Sequence, residues 1–272
     1  MEHAISRSSI HHHVTENGEH LVSKDRQMRD IGHWLKQGWM DMANAPLASL
    51  FYGLIMTLAV MLVYGAYQAE PIMIFKTATF FVMLSPFLAT GLYAISQQMQ
   101  QGKKPDLWQS MTVWRHNTAN FVLYALSLGV IVLVSVNFLP MITAVAQSDN
   151  LMIVETGEGI MGFISSQAGW AFMAYFALLV LIAAAFAFAI SVVTIPLMLK
   201  DPKVSAISAM ILSYQVVMEN KAVMTAWAIT IGAMVILGLV TVGLLMVVIM
   251  PLLGYASWHA FNDLIEFEDQ AE

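Results

Sequence analysis

The chain has 272 residues, of which 58% are hydrophobic and 11% are charged, and its formal net charge is −6. Soluble domains carry roughly 25% charged residues, so this composition excludes a soluble globular protein. The twelve Lys and Arg residues are too scattered for a nucleic-acid-binding surface, and the absence of cysteine excludes disulfides, thiolate metal sites and cysteine nucleophiles.

Polar residues dominate the N-terminal segment, so residues 1–26 are predicted to form a disordered cytoplasmic tail. Its histidines at 11–13 favour a solvated tail over a metal site. Residues 27–44 follow with apolar side chains spaced three and four apart, and Trp34 and Trp39 lie near basic residues. This pattern predicts an amphipathic helix lying in the membrane interface.

Long uncharged stretches then predict six transmembrane helices, because about 20 apolar residues are needed to cross a hydrocarbon core of about 30 Å. The expected spans are about 47–69, 72–99, 118–140, 170–199, 222–240 and 244–264. As one helix, residues 222–264 would be about 64 Å long, twice the core, so they are divided near residues 238–243. A single tilted helix is the alternative, since only Thr241 marks a turn.

A threefold pattern organises these spans, because an amphipathic segment ending near an Asn (Asn44, Asn117 or Asn220) precedes each pair. The sequence therefore predicts an all-α membrane protein with six transmembrane helices in three hairpins, each preceded by an amphipathic interfacial helix. The integral membrane domain is expected over residues 27–265 and an acidic cytoplasmic tail over residues 266–272.

Charge sets the orientation. In this topology eleven of the twelve basic residues lie on one side, and Lys76 is the exception. Cytoplasmic loops carry an excess of Lys and Arg, so both termini are expected in the cytoplasm and the loop 141–169 outside. The eleven residues are Arg7, Lys24, Arg26, Arg29, Lys36, Lys103, Lys104, Arg115, Lys200, Lys203 and Lys221.

Four motifs carry a family resemblance: WLKQGWMD at 34–41, SPFLATGLY at 85–93, PLMLKD at 196–201 and PLLGYASWHAFND at 251–263. With them the chain resembles an uncharacterised family of bacterial polytopic integral membrane proteins, over about residues 31–264. The family is catalogued as a domain of unknown function, and some members carry a cytochrome c oxidase label. The resemblance implies a bacterial inner-membrane location and a topology, but no reaction.

The oxidase label can be tested on the histidines, because a haem–copper centre needs several imidazole ligands at membrane depth. Five of the eight histidines lie in the N-terminal tail, and His33, His116 and His259 are expected near the cytoplasmic interface. An oxidase catalytic subunit is therefore not supported. A cluster of those three would form a metal or proton site, but separate interfacial histidines are favoured, and no cofactor is expected.

Two further groups of residues are candidates for structural roles. Lys76, the only basic residue inside an expected span, lies near its external end, where Glu70 can form an ion pair with it. Tryptophans near expected helix ends are predicted to be interfacial anchors: Trp34, Trp39, Trp108, Trp114 and Trp258.

No catalytic motif occurs in the sequence, so the leading hypothesis is a non-enzymatic accessory, assembly or membrane-organising factor. Its expected partners are the lipid bilayer and another membrane protein or respiratory complex. The alternative is a transporter or channel for a lipid or small neutral solute, suggested by the hairpin repeat and by Pro86, Pro196 and Pro251 inside or ending spans. Broken helices around a polar cavity would favour the alternative.

Overall fold

In the computed structural model of the chain, residues 10–14, 20–69, 73–138, 141, 144 and 167–267 are described. This part is mostly helical. The helices are α1 (Met28–Asn44), α2 (Pro46–Ala69), α3 (Met73–Gln100), α4 (Leu107–Thr112), α5 (Thr118–Asn137), α6 (Gln167–Ser191), α7 (Thr194–Lys200), α8 (Ala206–Glu219), α9 (Lys221–Val240) and α10 (Met246–Leu264). A 3₁₀ helix (Val113–Asn117) joins α4 to α5, and the strands are β1 (Ile10–Val14), β2 (His20–Lys24) and β3 (Ile265–Phe267).

Four stretches of the described residues are long and apolar enough to cross a membrane: Pro46–Gly65, Leu107–Asn137, Trp170–Lys200 and Lys221–Val240. The membrane class predicted from composition is thus confirmed. Helices α3 and α10 coincide with the other two expected spans, but α10 carries His259, Asn262 and Asp263 in its last turns. The number of complete spans stays a prediction.

The division of residues 222–264 into two helices is confirmed. Helix α9 ends at Val240, α10 begins at Met246, and a turn joins them. Two turn residues have a left-handed backbone, Val242 at φ 54° and Gly243 at φ 87°. Glycine adopts this conformation at little cost, whereas a β-branched residue such as Val242 is strained there. The chain therefore makes a defined turn between α9 and α10 and does not continue as one helix.

A small antiparallel sheet, in the order β1–β2–β3, joins the two ends of the described chain. Val22 pairs with Glu266, and the side chains of Leu21 and Ile265 are buried in the main core. The predicted disordered tail over residues 1–26 is therefore wrong for residues 10–14 and 20–24, and the fold is not purely α. Polar local composition concealed these strands, and the strand that completes the sheet beside β2 lies more than 200 residues away along the chain.

Helix α10 lies at the centre of the helical part and packs against α1, α2, α3 and α9. Close approach depends on small residues, because Gly53 of α2 faces the carbonyl oxygen of Val247 and Gly254 faces the side chain of Leu92. Helix α1 buries Trp34, Gly38 and Asp41, which share one face. Because neighbouring helices cover α10, it can hold polar side chains that a lipid-facing helix could not.

A pair of glycines in α2 tests this packing. A Cβ on Gly53 would lie 2.2 Å from the Val247 carbonyl oxygen, whereas a Cβ on Gly65 would meet nothing within 4 Å. We expect Gly53→Ala to destabilise the protein by about 1–3 kcal/mol through overpacking. Gly65→Ala should be neutral or stabilising by up to about 1 kcal/mol. Thermal unfolding midpoints in detergent measure both, and equal midpoints would contradict the α2–α10 contact.

Candidate functional site: a polar layer at the shared helix ends

Polar side chains from α1, α3 and α10 meet where α3 and α10 end. We call this group the polar layer; it consists of Trp34, Asp41, Ser96, Gln100, Trp258, His259 and Asp263. The C-terminal halves of α3 and α10 run side by side, so their last turns present polar groups to each other, and α1 crosses them with its buried face.

The centre of the polar layer is the carboxylate of Asp41, which is 9% exposed. Its Oδ2 lies 2.8 Å from Nε2 of His259. The same oxygen accepts a hydrogen bond from the hydroxyl of Ser96, which is fully buried. A nearly buried carboxylate requires such donors, because an unpaired charge away from water is costly.

These three residue types also form serine hydrolase triads, but the connectivity here is different. In a triad the histidine accepts the serine proton while the carboxylate orients the far ring nitrogen. In the polar layer the Ser96 hydroxyl donates to Asp41, and His259 contacts the same carboxylate oxygen. The serine is therefore not activated by the histidine, and the arrangement holds α1, α3 and α10 together.

Two buried indoles complete the polar layer. The indole N–H of Trp34 donates to Oδ2 of Asp263 at 2.8 Å, and that of Trp258 donates to Oε1 of Gln100 at 2.9 Å. Trp34 also makes an edge-to-face contact with Trp227, with ring centroids 5.6 Å apart. The prediction of interfacial anchors is wrong for Trp34 and Trp258, which are 0% and 1% exposed, because other helices supply their acceptors.

The remaining tryptophans differ from these two. Trp39 is 55% exposed and Trp108 is 75% exposed, while Trp114 is half-buried and its indole N–H donates to the carbonyl oxygen of Met111. Exposed indoles of this kind suit the headgroup layer. Their role as anchors stays a prediction.

The histidines predicted as weak metal candidates are not brought together. His33 and His116 are exposed, whereas His259 is paired with Asp41. Within the described ranges, no group of three or more His, Asp or Glu side chains has the arrangement needed to hold a metal ion. Glu70 and the side chain of Lys76 lie outside the described residues. The ion pair predicted between them therefore stays a prediction.

A second polar cluster was missed by sequence reasoning. We call it the strand cluster: His11, His13, Ser23, Asp25 and Glu219. The Nε2 of His13 lies 3.2 Å from Oε1 of Glu219, and the hydroxyl of Ser23 donates to the same carboxylate. Beside it, a cavity of about 350 Å³ lies between β1 and α8, with His12, Ser208 and Gln215 in its lining. The cluster fixes β1 and β2 to the end of α8.

Further contacts attach the sheet to the ends of α8 and α10. The backbone N–H of Arg26 donates to Oδ1 of Asn220 at 2.8 Å, and its guanidinium donates to the carbonyl oxygen of Asp263. Lys24 pairs with Glu266 across β2 and β3. The start of α5 joins the same region, because Oδ1 of Asn120 accepts from the N–H of Ala206.

A comparison with protein families matches the middle of the chain. A family model described as "Predicted integral membrane protein (DUF2189)" matches residues 72–200. The resemblance read from the motifs is thereby confirmed for this DUF2189 segment, which contains Ser96 and Gln100 of the polar layer. Its description names a membrane protein and no reaction, cofactor or partner. No curated protein and no solved structure matches the chain significantly.

Replacing the carboxylate at the centre of the polar layer tests its structural role. We expect Asp41→Ala to destabilise the protein by about 1–3 kcal/mol, because Ser96 and His259 lose their acceptor. His33→Ala, on the exposed face of the same helix, is the matched control and should change little. Both are measured by thermal unfolding in detergent. Asp41→Ala with an unchanged midpoint would show that the layer does not hold α1.

The pair of Lys24 and Glu266 predicts a pH dependence. The hydrogen bond from Lys24, followed by its positive charge, lowers the pKa of the Glu266 carboxyl from its usual 4.5. The pair therefore stabilises the folded state above pH 4.5, and this contribution is lost as the pH falls through the folded pKa. Since both side chains are exposed, the effect is small.

Glu266→Gln isolates this effect. The unfolding midpoint of the wild type should exceed that of the variant near neutral pH, and the difference should vanish well below the usual pKa. A difference that persists in acid would assign the effect to something other than the carboxylate charge.

Proposed function

We propose that this protein is a non-enzymatic component of the bacterial inner membrane that acts by binding, as an accessory, assembly or membrane-organising factor. In this proposal the chain enters the bilayer as three hairpins of membrane helices, and both termini lie in the cytoplasm. The lipid bilayer and a further membrane protein are its partners.

The orientation is supported by where the basic residues lie in the fold. Arg26 contacts the last turn of α10, Lys24 pairs with Glu266 in β3 directly after it, and the Nζ of Lys200 donates to Oδ1 of Asn262 in α10 at 3.3 Å. Cations from segments far apart in sequence therefore collect beside the polar layer. A membrane protein keeps such a face in the cytoplasm.

The observation that carries the binding proposal is the exposure of α6. Most of α6 is not covered by the rest of the protein, and large apolar side chains are exposed around its circumference. Examples are Phe176 at 37%, Leu181 at 65% and Ile182 at 59%. Membrane helices associate through shape and small residues rather than through hydrophobicity, and α6 contributes Ala183 and Ala187 to an apolar cleft of about 360 Å³ beside α5.

The polar interior supports the same proposal. The described buried polar side chains of the polar layer bind one another. At the break between α6 and α7, residues 192–193, the hydroxyl of Ser213 hydrogen-bonds with the free backbone groups. The N–H of Val193 donates to the Ser213 hydroxyl at 3.1 Å, and that hydroxyl donates to the carbonyl oxygen of Ala189 at 2.8 Å. A transporter would use such a break to bind solute. The break itself is the observation that keeps a transporter for a lipid or small neutral solute as the second candidate.

Site-specific photo-crosslinking in intact cells tests the proposal. A diazirine amino acid at Ile182, which is exposed, should give one discrete heavier product containing a second protein identified by mass spectrometry. The same probe at Ala189, which is 6% exposed, is the matched control and should give none. Adducts with lipid alone at Ile182 would contradict an accessory role. Protein-dependent solute uptake into proteoliposomes would favour the transporter.

A further inference from the structure

We infer that the hairpin formed by α9 and α10 is re-entrant: it enters the membrane from the side of the polar layer and turns back near the bilayer centre. This replaces two complete spans with one half-depth hairpin. The first turns of α9, which bury Val223, Met224 and Trp227 and contact α1, then lie outside the hydrocarbon core. The inference uses the membrane placement proposed above, but its depth argument does not depend on which side is cytoplasmic.

The first measure of depth comes from α2. The hydroxyl of Thr57 donates to the carbonyl oxygen of Gly243 at 2.9 Å, and the side chain of Val60 lies against the same glycine. The turn between α9 and α10 is thus level with the middle of α2. Helix α2 continues from there to Ala69, nine to twelve residues or about 14–18 Å farther.

The second measure comes from α3 and agrees with the first. Leu92 of α3 packs against Gly254 of α10. From this level to its N-terminal end at Met73, α3 has 19 residues, or about 28 Å. From the same level to its N-terminal end at Met246, α10 has eight residues, or about 12 Å. Helix α3 therefore reaches about 16 Å beyond the start of α10, which is about half of a 30 Å core.

The turn has the hydrogen bonding that such a depth demands. Hydrocarbon excludes irregular backbone because unpaired N–H groups have no water to bind. Here the five successive N–H groups of residues 242–246 all donate within the hairpin, to acceptors on Leu239, Gly238, Thr241 and Gly243. The hydroxyl of Thr241 also donates to the carbonyl oxygen of Gly238 at 2.8 Å. The N–H groups of the turn therefore need no water.

The exposed surface of the turn is also that of a lipid-facing segment. Val240 is 75% exposed, Leu244 is 62% exposed and Val242 is 40% exposed. A turn that emerged at the far surface would place these side chains in water or among headgroups, where polar residues are the norm. In the bilayer centre they are solvated by acyl chains, which explains why the sequence marks this turn with only one polar residue.

Cysteine accessibility tests the depth, since the natural chain has no cysteine. We expect Val242→Cys to resist a membrane-impermeant maleimide both in intact spheroplasts and in inverted vesicles, and to react once detergent dissolves the membrane. Cysteine is not β-branched, so it suits the positive φ of this position better than valine does. Labelling from either aqueous side in the intact membrane would overturn the inference.

Two control sites separate this result from the proposed orientation. Lys104→Cys, at an exposed position after α3, should label only in inverted vesicles, and Asp149→Cys, in the sequence-predicted external loop, only in spheroplasts. A reversed pattern would refute the orientation and leave the depth inference standing. A nitroxide at position 242 gives an independent depth: it should collide with oxygen far more often than with a water-soluble nickel complex, and the opposite order would overturn the inference.

Discussion

The enclosure of α10 by its neighbours is the constraint on which the rest of the structure depends. Close approach at Gly53 and Gly254 brings α2 and α3 against it, and α1 covers its polar end. Only a helix shielded in this way can keep His259 and Asp263 beside long apolar helices. The central helix thus determines where polar groups are tolerated, and the polar layer forms where those groups find partners on α1 and α3.

Sequence reasoning located the helices well, because each depends on local features. Apolar stretches between charged or polar turns gave bounds close to those of α2, α3 and α5, and Gly243 lay at the break between α9 and α10. The expected span 170–199 is divided in the structure, because α6 ends at Ser191 and α7 begins at Thr194. Amphipathic spacing likewise gave α1. Each of these patterns is formed by residues close together in the sequence, so the helices can be predicted from one sequence without knowledge of the tertiary contacts.

The candidate site could not be predicted in the same way. The partners Asp41 and His259 are 218 residues apart, and the sequence does not show that α1 crosses the end of α10. Trp34 and Trp258 have the local sequence context of headgroup anchors. In the structure they are buried, because their indole N–H groups donate to Asp263 and Gln100 on other helices. The sheet was hidden for a related reason, since β2 is completed by a strand at the opposite end of the chain. In each case the deciding interaction is long-range.

The half-depth hairpin has a mechanical consequence for the bilayer. In the placement inferred above, the leaflet beside the polar layer holds α9 and α10 together with α2, α3, α5 and α6, whereas the opposite leaflet holds α2, α3, α5 and α6 without that hairpin. The protein then occupies more area in one monolayer than in the other and acts as a wedge. Such a wedge relaxes where the membrane is convex on its wider side, so local bending would concentrate the protein without any specific lipid contact.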